Sequence, residues 1–156
     1  MQQIELTQGM FALVDDEDFE ELNQFNWCFA QGYAVRKITI SGKRQNQGMH
    51  RLITNCPDGF EVDHINHDML DNRKANLRVC RHSENVYNQK VRTYAKTSVY
   101  KGVYFHKRDG KWIAQIQLNN KRKFLGYFTN EIDAAIAYNV AAIELFGDFA
   151  LLNEIG

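Results

Sequence analysis

The run "VDHINHDMLDNRKANLR", Val62 to Arg78, holds two histidines, three asparagines and three aspartates, and little that is apolar. Breaking a phosphodiester in neutral water needs a nucleophile, relief of charge on the phosphate, and relief of the leaving oxygen. One hard divalent cation supplies the last two, and a neutral imidazole can take a proton from water. Hard cations prefer oxygen ligands, which Asp and Asn provide. Neighbouring residues on a strand point to opposite sides, so Asp63 and His64 can divide this labour, one holding metal while the other reaches the water. A second metal ligand must come from an adjoining element, and the helix around Asn85 can supply it. Each residue also has a plainer reading. Asp63 and His64 could be a hydrogen-bonded surface pair, Asn85 an exposed helix residue, and Asn72 and Asn76 turn formers, which for Asn72 is the preferred reading. His67 and His82 read as solvated loop residues. Asp68 and Asp71 shape the loop and add negative potential.

The elements that must carry these groups follow from periodicity. "FEV" is a strand ending at Asp63, and a helix starts near Ser83 in "NLRVCRHSENVYNQK". Upstream, "MFALVDDEDFEELNQFNW" gives a short strand and then an acidic helix starting near Asp16. "GYAVRKITI" alternates as a strand, "SGKRQNQG" reads as a turn, and "MHRLIT" as extended or short helical structure. The single proline, Pro57, marks a turn in "CPDG". "VRTYAKTS" is a polar, basic stretch without a period, and the domain boundary is placed there.

Beyond it, "GVYFH", "WIAQIQL" and "RKFLGYF" are three strand-like runs joined by "RDGK" and "LNNK", turns tolerant of positive φ. "TNEIDAAIAYNVAAIELFG" reads as one helix, with Asn130 as N-cap, Asp133 three residues on, and Gly147 just past the end. Its apolar stripe is Ile132, Ala135, Ile136, Asn139, Val140 and Ile143. Period two turns Val103, Phe105, Trp112, Ala114, Ile116 and Leu125 towards the helix. It turns Tyr104, His106, Ile113, Gln115, Gln117, Arg122 and Phe124 away from it. Such a mixed aromatic, amide and basic face suits the DNA major groove, where Gln pairs with adenine and Arg with guanine or phosphate. A solvated or dimerising face is the plainer alternative.

The whole chain sets bounds. Its 156 residues, 44% hydrophobic and 24% charged, suit one compact domain or two small ones. No apolar run approaches the ~18 residues of a membrane span. The opening "MQQIELTQGM" lacks the basic and apolar regions of a secretory signal. Cys28, Cys56 and Cys80 form no CxxC pair, so neither a disulfide framework nor a zinc ribbon is indicated, and a reducing cytosol fits. The net charge of zero is a cancellation. Residues 1–40 carry two basic and seven acidic side chains, 41–96 ten and six, 97–128 seven and one, and 129–156 none and five. A basic middle between acidic ends suits a gripped polyanion, or simply an uneven solvated surface.

Taken together, "MHRLI … EVDHINHDMLDNRKANLR … HSEN" resembles the HNH endonucleases of phage and intron homing type, over about residues 49–88. The lead-in "FALVDDEDFEELNQFNWCFAQGYAVR" is similar to theirs as well. The resemblance implies a ββα-metal site. Asp63 is then the first metal ligand and Asn85 the second, His64 the general base, and Asn76 the middle Asn that ties the loop and so holds His64. His50 and Arg51 match a recurrent His-Arg pair, which makes either a phosphate contact or a core contact.

Residues 98–153 resemble the APETALA (AP-two)/ethylene-response-factor DNA-binding domain through "YKGV", "GKWIAQI", "FLGYF" and "AAIAYNVAAIELFG". That family sets a three-stranded antiparallel sheet on one helix and puts the sheet in the major groove. Positions matching its DNA contacts are Lys101, Tyr104, His106, Gln115, Gln117, Arg122 and Phe124. Tyr104 and His106 stand where the plant proteins have arginines, and Gln115 where they have Glu, so their target sequence does not transfer. Lys101, Lys107, Arg108, Lys111, Lys121 and Lys123 are left to grip phosphates.

The expectation is an α+β chain. An HNH module over 1–92, with its core at 49–88, is joined by a linker at 93–97 to the DNA-binding domain at 98–153. The expected activity is metal-dependent nicking of double-stranded DNA by a monomer, using one Mg²⁺ with Mn²⁺ as the alternative. No membrane and no obligate protein partner is implied, and the setting is the cytoplasm of a bacterial host or phage-infected cell. The competing readings are a non-catalytic DNA-binding regulator and an RNA-binding or RNA-cleaving protein.

Overall fold

The polar run is held by an N-terminal scaffold that its own residues only partly foretell. The computed structural model describes residues 1–89, 97–119 and 121–156, so most of the expected linker lies outside the described residues. The chain divides into two compact units, Met1–His82 and Ser83–Gly156.

In the first unit, β1 (Gln2–Glu5) pairs antiparallel with β2 (Phe11–Val14), which leads into α1 (Asp16–Leu22). Then β3 (Cys28–Ala30), β4 (Tyr33–Ile40) and β5 (Lys43–Gly48) form an antiparallel sheet in that order. α2 (Met49–Ile53) follows directly. β6 (Glu61–His64) and β7 (Leu77–Cys80) form a two-stranded ribbon. The core is Ile4, Leu6, Ala12, Val14, Leu22, Trp27, Ala34 and Met49. Each of the larger side chains contributes about 1.5–3 kcal/mol by leaving water. "SGKRQNQG" is not a turn alone. Ser41 and Gly42, with φ of 50° and 77°, make the turn, and the rest is the strand β5. Its polar side chains hide the strand, because β5 gains from ladder hydrogen bonds with β4 rather than from a buried face.

Polar ties bind this scaffold to the 65–76 loop. The Leu13 N–H donates to Leu70 O, and the Asn72 N–H to Leu13 O, both at 2.8 Å. The Lys74 N–H donates to Asp15 Oδ2 at 2.8 Å, while Lys74 Nζ lies 2.5 Å from Glu17 and 2.9 Å from Asp18.

The helix α3 (His82–Tyr87) crosses from the first unit into the second. β8 (Val103–His106), β9 (Lys111–Leu118) and β10 (Lys121–Phe128) form an antiparallel sheet with β9 in the centre, and α4 (Glu131–Phe146) packs on it. This is the expected α+β architecture. Asn130 caps α4, its side chain accepting the Asp133 N–H at 2.8 Å. A bulge at Leu125 shifts the β10 register and drives that side chain into the core. Gly102 has φ of 76°, and a Cβ there would stand 2.1 Å from the Tyr138 ring.

The helix stripe is a correction. Ile132, Ile136, Val140 and Ile143 are exposed, while Ala134, Ala135, Tyr138, Ala141, Ala142 and Phe146 are buried. Small side chains let the helix approach the sheet closely, and that shape outweighs the larger hydrophobicity of the opposite face. Ile113 also departs from expectation. It is buried although its strand position faces away from α4, flanked in the ladder by Tyr104 and Tyr127.

Within the second unit, Tyr87 stacks on Phe146 with centroids 4.0 Å apart. Lys101 Nζ donates to Tyr87 O at 2.7 Å and to Gln89 O at 2.9 Å, closing the end of α3.

Candidate active site and nucleic-acid interface

The β6–β7 ribbon sets the site. Its register pairs Asp63 with Arg78 and His64 with Leu77. Both polar residues are buried, at 6% and 5% exposure. Arg78 reaches straight across the ladder and donates from Nε at 2.8 Å and Nη2 at 2.6 Å to Asp63 Oδ2. The guanidinium thus neutralises a carboxylate that would otherwise be costly to bury.

His64 sits among rings. Tyr33 is 6.0 Å away and His50 5.3 Å, centroid to centroid, and Tyr33 and His50 are 5.2 Å apart. Burial lowers the His64 pKa below its ordinary value, against the opposing pull of Asn72, Asp63, Asp68 and Asp71. His50 is pushed down to about 4, by burial first and then by His64 and Arg51. Both imidazoles are therefore neutral at pH 7, the form in which His64 can accept a proton. His64 Nε2 is enclosed and has no hydrogen-bond partner.

Asn76 ties the loop from both ends of its amide. Its Oδ1 accepts the Asn66 N–H at 3.0 Å, and its Nδ2 donates to Asp71 O at 2.8 Å. Its own carbonyl accepts the Ile65 N–H at 3.0 Å, one residue past His64. Asp71 is held below the usual carboxylate range chiefly by Arg73, which donates to both of its oxygens. Much of the polar run is thus mortar for the loop that follows the base.

The other expected residues stand as follows. Arg51 donates to Phe60 O at 2.8 Å and Pro57 O at 3.4 Å, closing the "CPDG" turn, and His50 lies in the ring cluster. Asn85 is half-buried on α3, in the second unit. His82 is exposed, its Nδ1 2.8 Å from Glu61 Oε1. Among the described residues no three His, Cys, Asp or Glu side chains form a metal cage. Asp63, buried at the end of β6, offers carboxylate oxygen of the kind a hard cation prefers. The unpartnered His64 nitrogen shows that the neighbourhood has unmet polar capacity, so the residues fit such a group.

On the second unit, Tyr104 and His106 lie on β8, Gln115 and Gln117 on β9, and Arg122 and Phe124 on β10. The ladder sets Arg122 opposite Gln117 and Phe124 opposite Gln115. Phe124 and Tyr127 are exposed and meet edge to face at 5.1 Å. Lys101 differs from these. Its ammonium is turned to the α3 carbonyls, and burial lowers its pKa to about 8.

The HNH endonuclease family profile matches residues 54–87. An uncharacterized HNH endonuclease of Acanthamoeba polyphaga mimivirus is 30% identical over 154 residues, covering 94% of this chain and 76% of the relative. The chain belongs to the HNH endonuclease family. Members of this family hydrolyse phosphodiester bonds in DNA and typically use a divalent metal. The HNH endonuclease also carries an AP2-like segment. The AP2-like ethylene-responsive transcription factors AIL7 and AIL6 of Arabidopsis thaliana are each 43% identical to it over 58 residues, 36% of this chain. The chain spans only 12% and 10% of those two plant proteins. No helix of the described residues is long and apolar enough to cross a membrane.

Sequence reasoning missed several residues at these sites. Arg78 was legible in principle, since an antiparallel pairing of His64 with Leu77 puts it opposite Asp63. Tyr33 and the full burial of Asn72 depend on long-range packing that no local pattern carries.

Proposed function

We propose that this HNH endonuclease nicks double-stranded DNA at a site chosen by its C-terminal sheet, as a homing-type enzyme of a phage or mobile element. His64 takes a proton from water. The water oxygen attacks phosphorus, the bond to the 3′ oxygen breaks, and that oxygen takes a proton from solvent water to leave as a 3′-hydroxyl opposite a 5′-phosphate. Asp63 and Asn85 would hold one Mg²⁺, or Mn²⁺ in its place, which would relieve charge on the phosphate and on the leaving oxygen. Asn76 keeps the loop after His64 in shape. His50 supports the base ring from the side, and Arg51 steadies the preceding turn with its outer face towards phosphate.

Residues 1–92 form the nuclease module and 98–153 the DNA-binding module, joined by 93–97. Tyr104, His106, Gln115, Gln117, Arg122 and Phe124 contact the duplex. Lys101 contributes positive potential from the edge of that surface. One catalytic centre acting as a monomer cuts one strand per visit, in the cytoplasm of a bacterial host or infected cell.

The observation that carries this reading is the burial of His64 beside Asp63 at the end of β6, in a ring cluster with Tyr33 and His50. Supercoiled plasmid incubated with Mg²⁺ or Mn²⁺ should become open circles with the wild type and stay supercoiled with His64→Ala. Nicking equal in the two proteins would sink the hydrolytic reading and leave a DNA-binding regulator.

A further inference from the structure

Charge in the first unit is sorted along the chain. Residues 1–32 carry seven acidic side chains and no basic one. Residues 33–48, the β4–β5 hairpin, carry Arg36, Lys37, Lys43 and Arg44 and no acidic one. The far end of the hairpin adds nothing to the core, since Lys37 and every residue from Thr39 to Asn46 is exposed. Arg36 is spent within the fold: its guanidinium lies 3.7 Å over the Phe25 ring, and its Nε donates to Gln47 Oε1 at 2.8 Å. Lys37, Lys43 and Arg44 make no ion pair among the described residues. Their charge is left to answer something outside the chain.

The ladder register divides the hairpin into two faces. Arg36, Ile38 and Ile40 share one with Gln47, Gln45 and Lys43, and Lys37 and Thr39 share the other with Asn46 and Arg44. This second face leads to the ring cluster. Its near end is the Val35–Gly48 pair, and a Cβ on Gly48 would stand 2.5 Å from His50 Cε1, so the His50 ring lies over that end. Tyr33, two residues before Val35 on the same face, meets His50 at 5.2 Å and His64 at 6.0 Å. At about 3.4 Å a residue, Lys37 stands roughly 7 Å and Arg44 roughly 14 Å along the strands from that end. Duplex DNA advances about 3.4 Å per base step, so a backbone lying at His64 passes both cations within about four steps.

We propose that the β4–β5 hairpin is a phosphate-gripping arm of the nuclease unit. Lys37 and Arg44 bind the sugar-phosphate backbone of duplex DNA beside the cut, with Thr39 and Asn46 between them as neutral hydrogen-bonding groups. Phosphate contacts position a protein on the duplex without reading bases, so this grip is the same on every sequence. It gives the nuclease unit an affinity of its own, separate from that of the C-terminal sheet. The proposal rests on His64 as the reacting centre for where the grip falls, and not for whether it exists.

The test is fluorescence anisotropy of the full chain on a labelled duplex of about 30 base pairs and arbitrary sequence, in EDTA, across a salt series. Lys37→Gln with Arg44→Gln should flatten the log–log salt slope by about 2 and weaken binding at about 0.1 M salt at least tenfold, since each phosphate contact contributes about 0.9. Thr39→Lys, one more cation on the same face, should steepen the slope by about 0.9. Gln2→Glu with Gln3→Glu lowers the net charge as much as the paired glutamines do, at exposed positions of β1, and should leave the slope where it was. Wild-type slopes in the hairpin variants overturn the proposal and leave this face to solvent or to an acidic protein. Equal flattening by the β1 variant also overturns it, because net charge would then be at work rather than contact. If the paired variant does not fold, a Thr39→Lys slope equal to the wild type's is enough to overturn it. Equal nicking by His64→Ala and the wild type would instead fail the hydrolytic reading, with these slopes standing on their own.

Discussion

Replacing His50 with phenylalanine tests why the paired imidazoles are neutral. The new ring keeps its place between Tyr33 and His64 but loses its titrating nitrogens. In the wild type, burial first, and then His64 and Arg51, hold His50 at about 4 against an ordinary 6.5. An unfolded chain takes up this proton near pH 6.5, and the folded chain only near pH 4. Between those values the unfolded state holds the extra proton, so stability falls as pH falls. The contribution is complete above pH 6.5 and is lost on the way down to pH 4. The gap of 6.5 − 4 = 2.5 pH units, at about 1.36 kcal/mol each, sets an upper value of about 3 kcal/mol. Partial exposure of the ring screens this to about 2 kcal/mol. Urea unfolding would be followed by Trp27 fluorescence, with Trp112→Phe as a common background, at steps from pH 7.5 to 4.5. The His50→Phe protein should gain on the wild type by most of that amount across the range. Parallel curves would refute a neutral, desolvated His50.

Three further outcomes follow from the geometry. Arg78→Met strips the buried Asp63 carboxylate of its guanidinium and should cost the first unit about 3 kcal/mol, read as a lower urea midpoint; an unmoved midpoint would show the pair to be energetically idle. Gly102→Ala forces a left-handed backbone and a clash with Tyr138, and should destabilise the second unit by about 2–5 kcal/mol in thermal melts; a melt like the wild type's would contradict the close approach. Alanine at Lys121, Arg122 and Lys123 together should flatten the log–log salt dependence of duplex binding by up to about 3, since each phosphate contact contributes about 0.9; an unchanged slope would remove this edge from the interface.

What the sequence made legible was local. The Asp-His step at the end of a strand, the Asn130 cap and the three-strand meander each depend on neighbours within a few positions, and each is where periodicity puts it. β1 and β3 are silent in the sequence because four and three residues are too few to show a period. β5 resembles a turn in sequence because its pairing is carried by the backbone. The α4 stripe was assigned by hydrophobicity, whereas packing against a sheet selects for small side chains. Asn72 looked like a turn residue because "DNR" is turn-like in isolation. Its burial comes from β2, nearly sixty positions earlier, which closes over it. The same limit applies to Lys101, whose carbonyl partners lie at the end of a different element.

The way α3 is shared bears on how such proteins can be recombined. The family match runs to residue 87, yet the compact-unit division falls between His82 and Ser83. The last turn of the motif leans on an aromatic ring and an ammonium that belong to the downstream fold. Grafting a different reader behind this nuclease would therefore need a replacement for Phe146 and Lys101, or the graft would leave the tail of the motif frayed. The end of the family match and the boundary between the compact units therefore do not coincide.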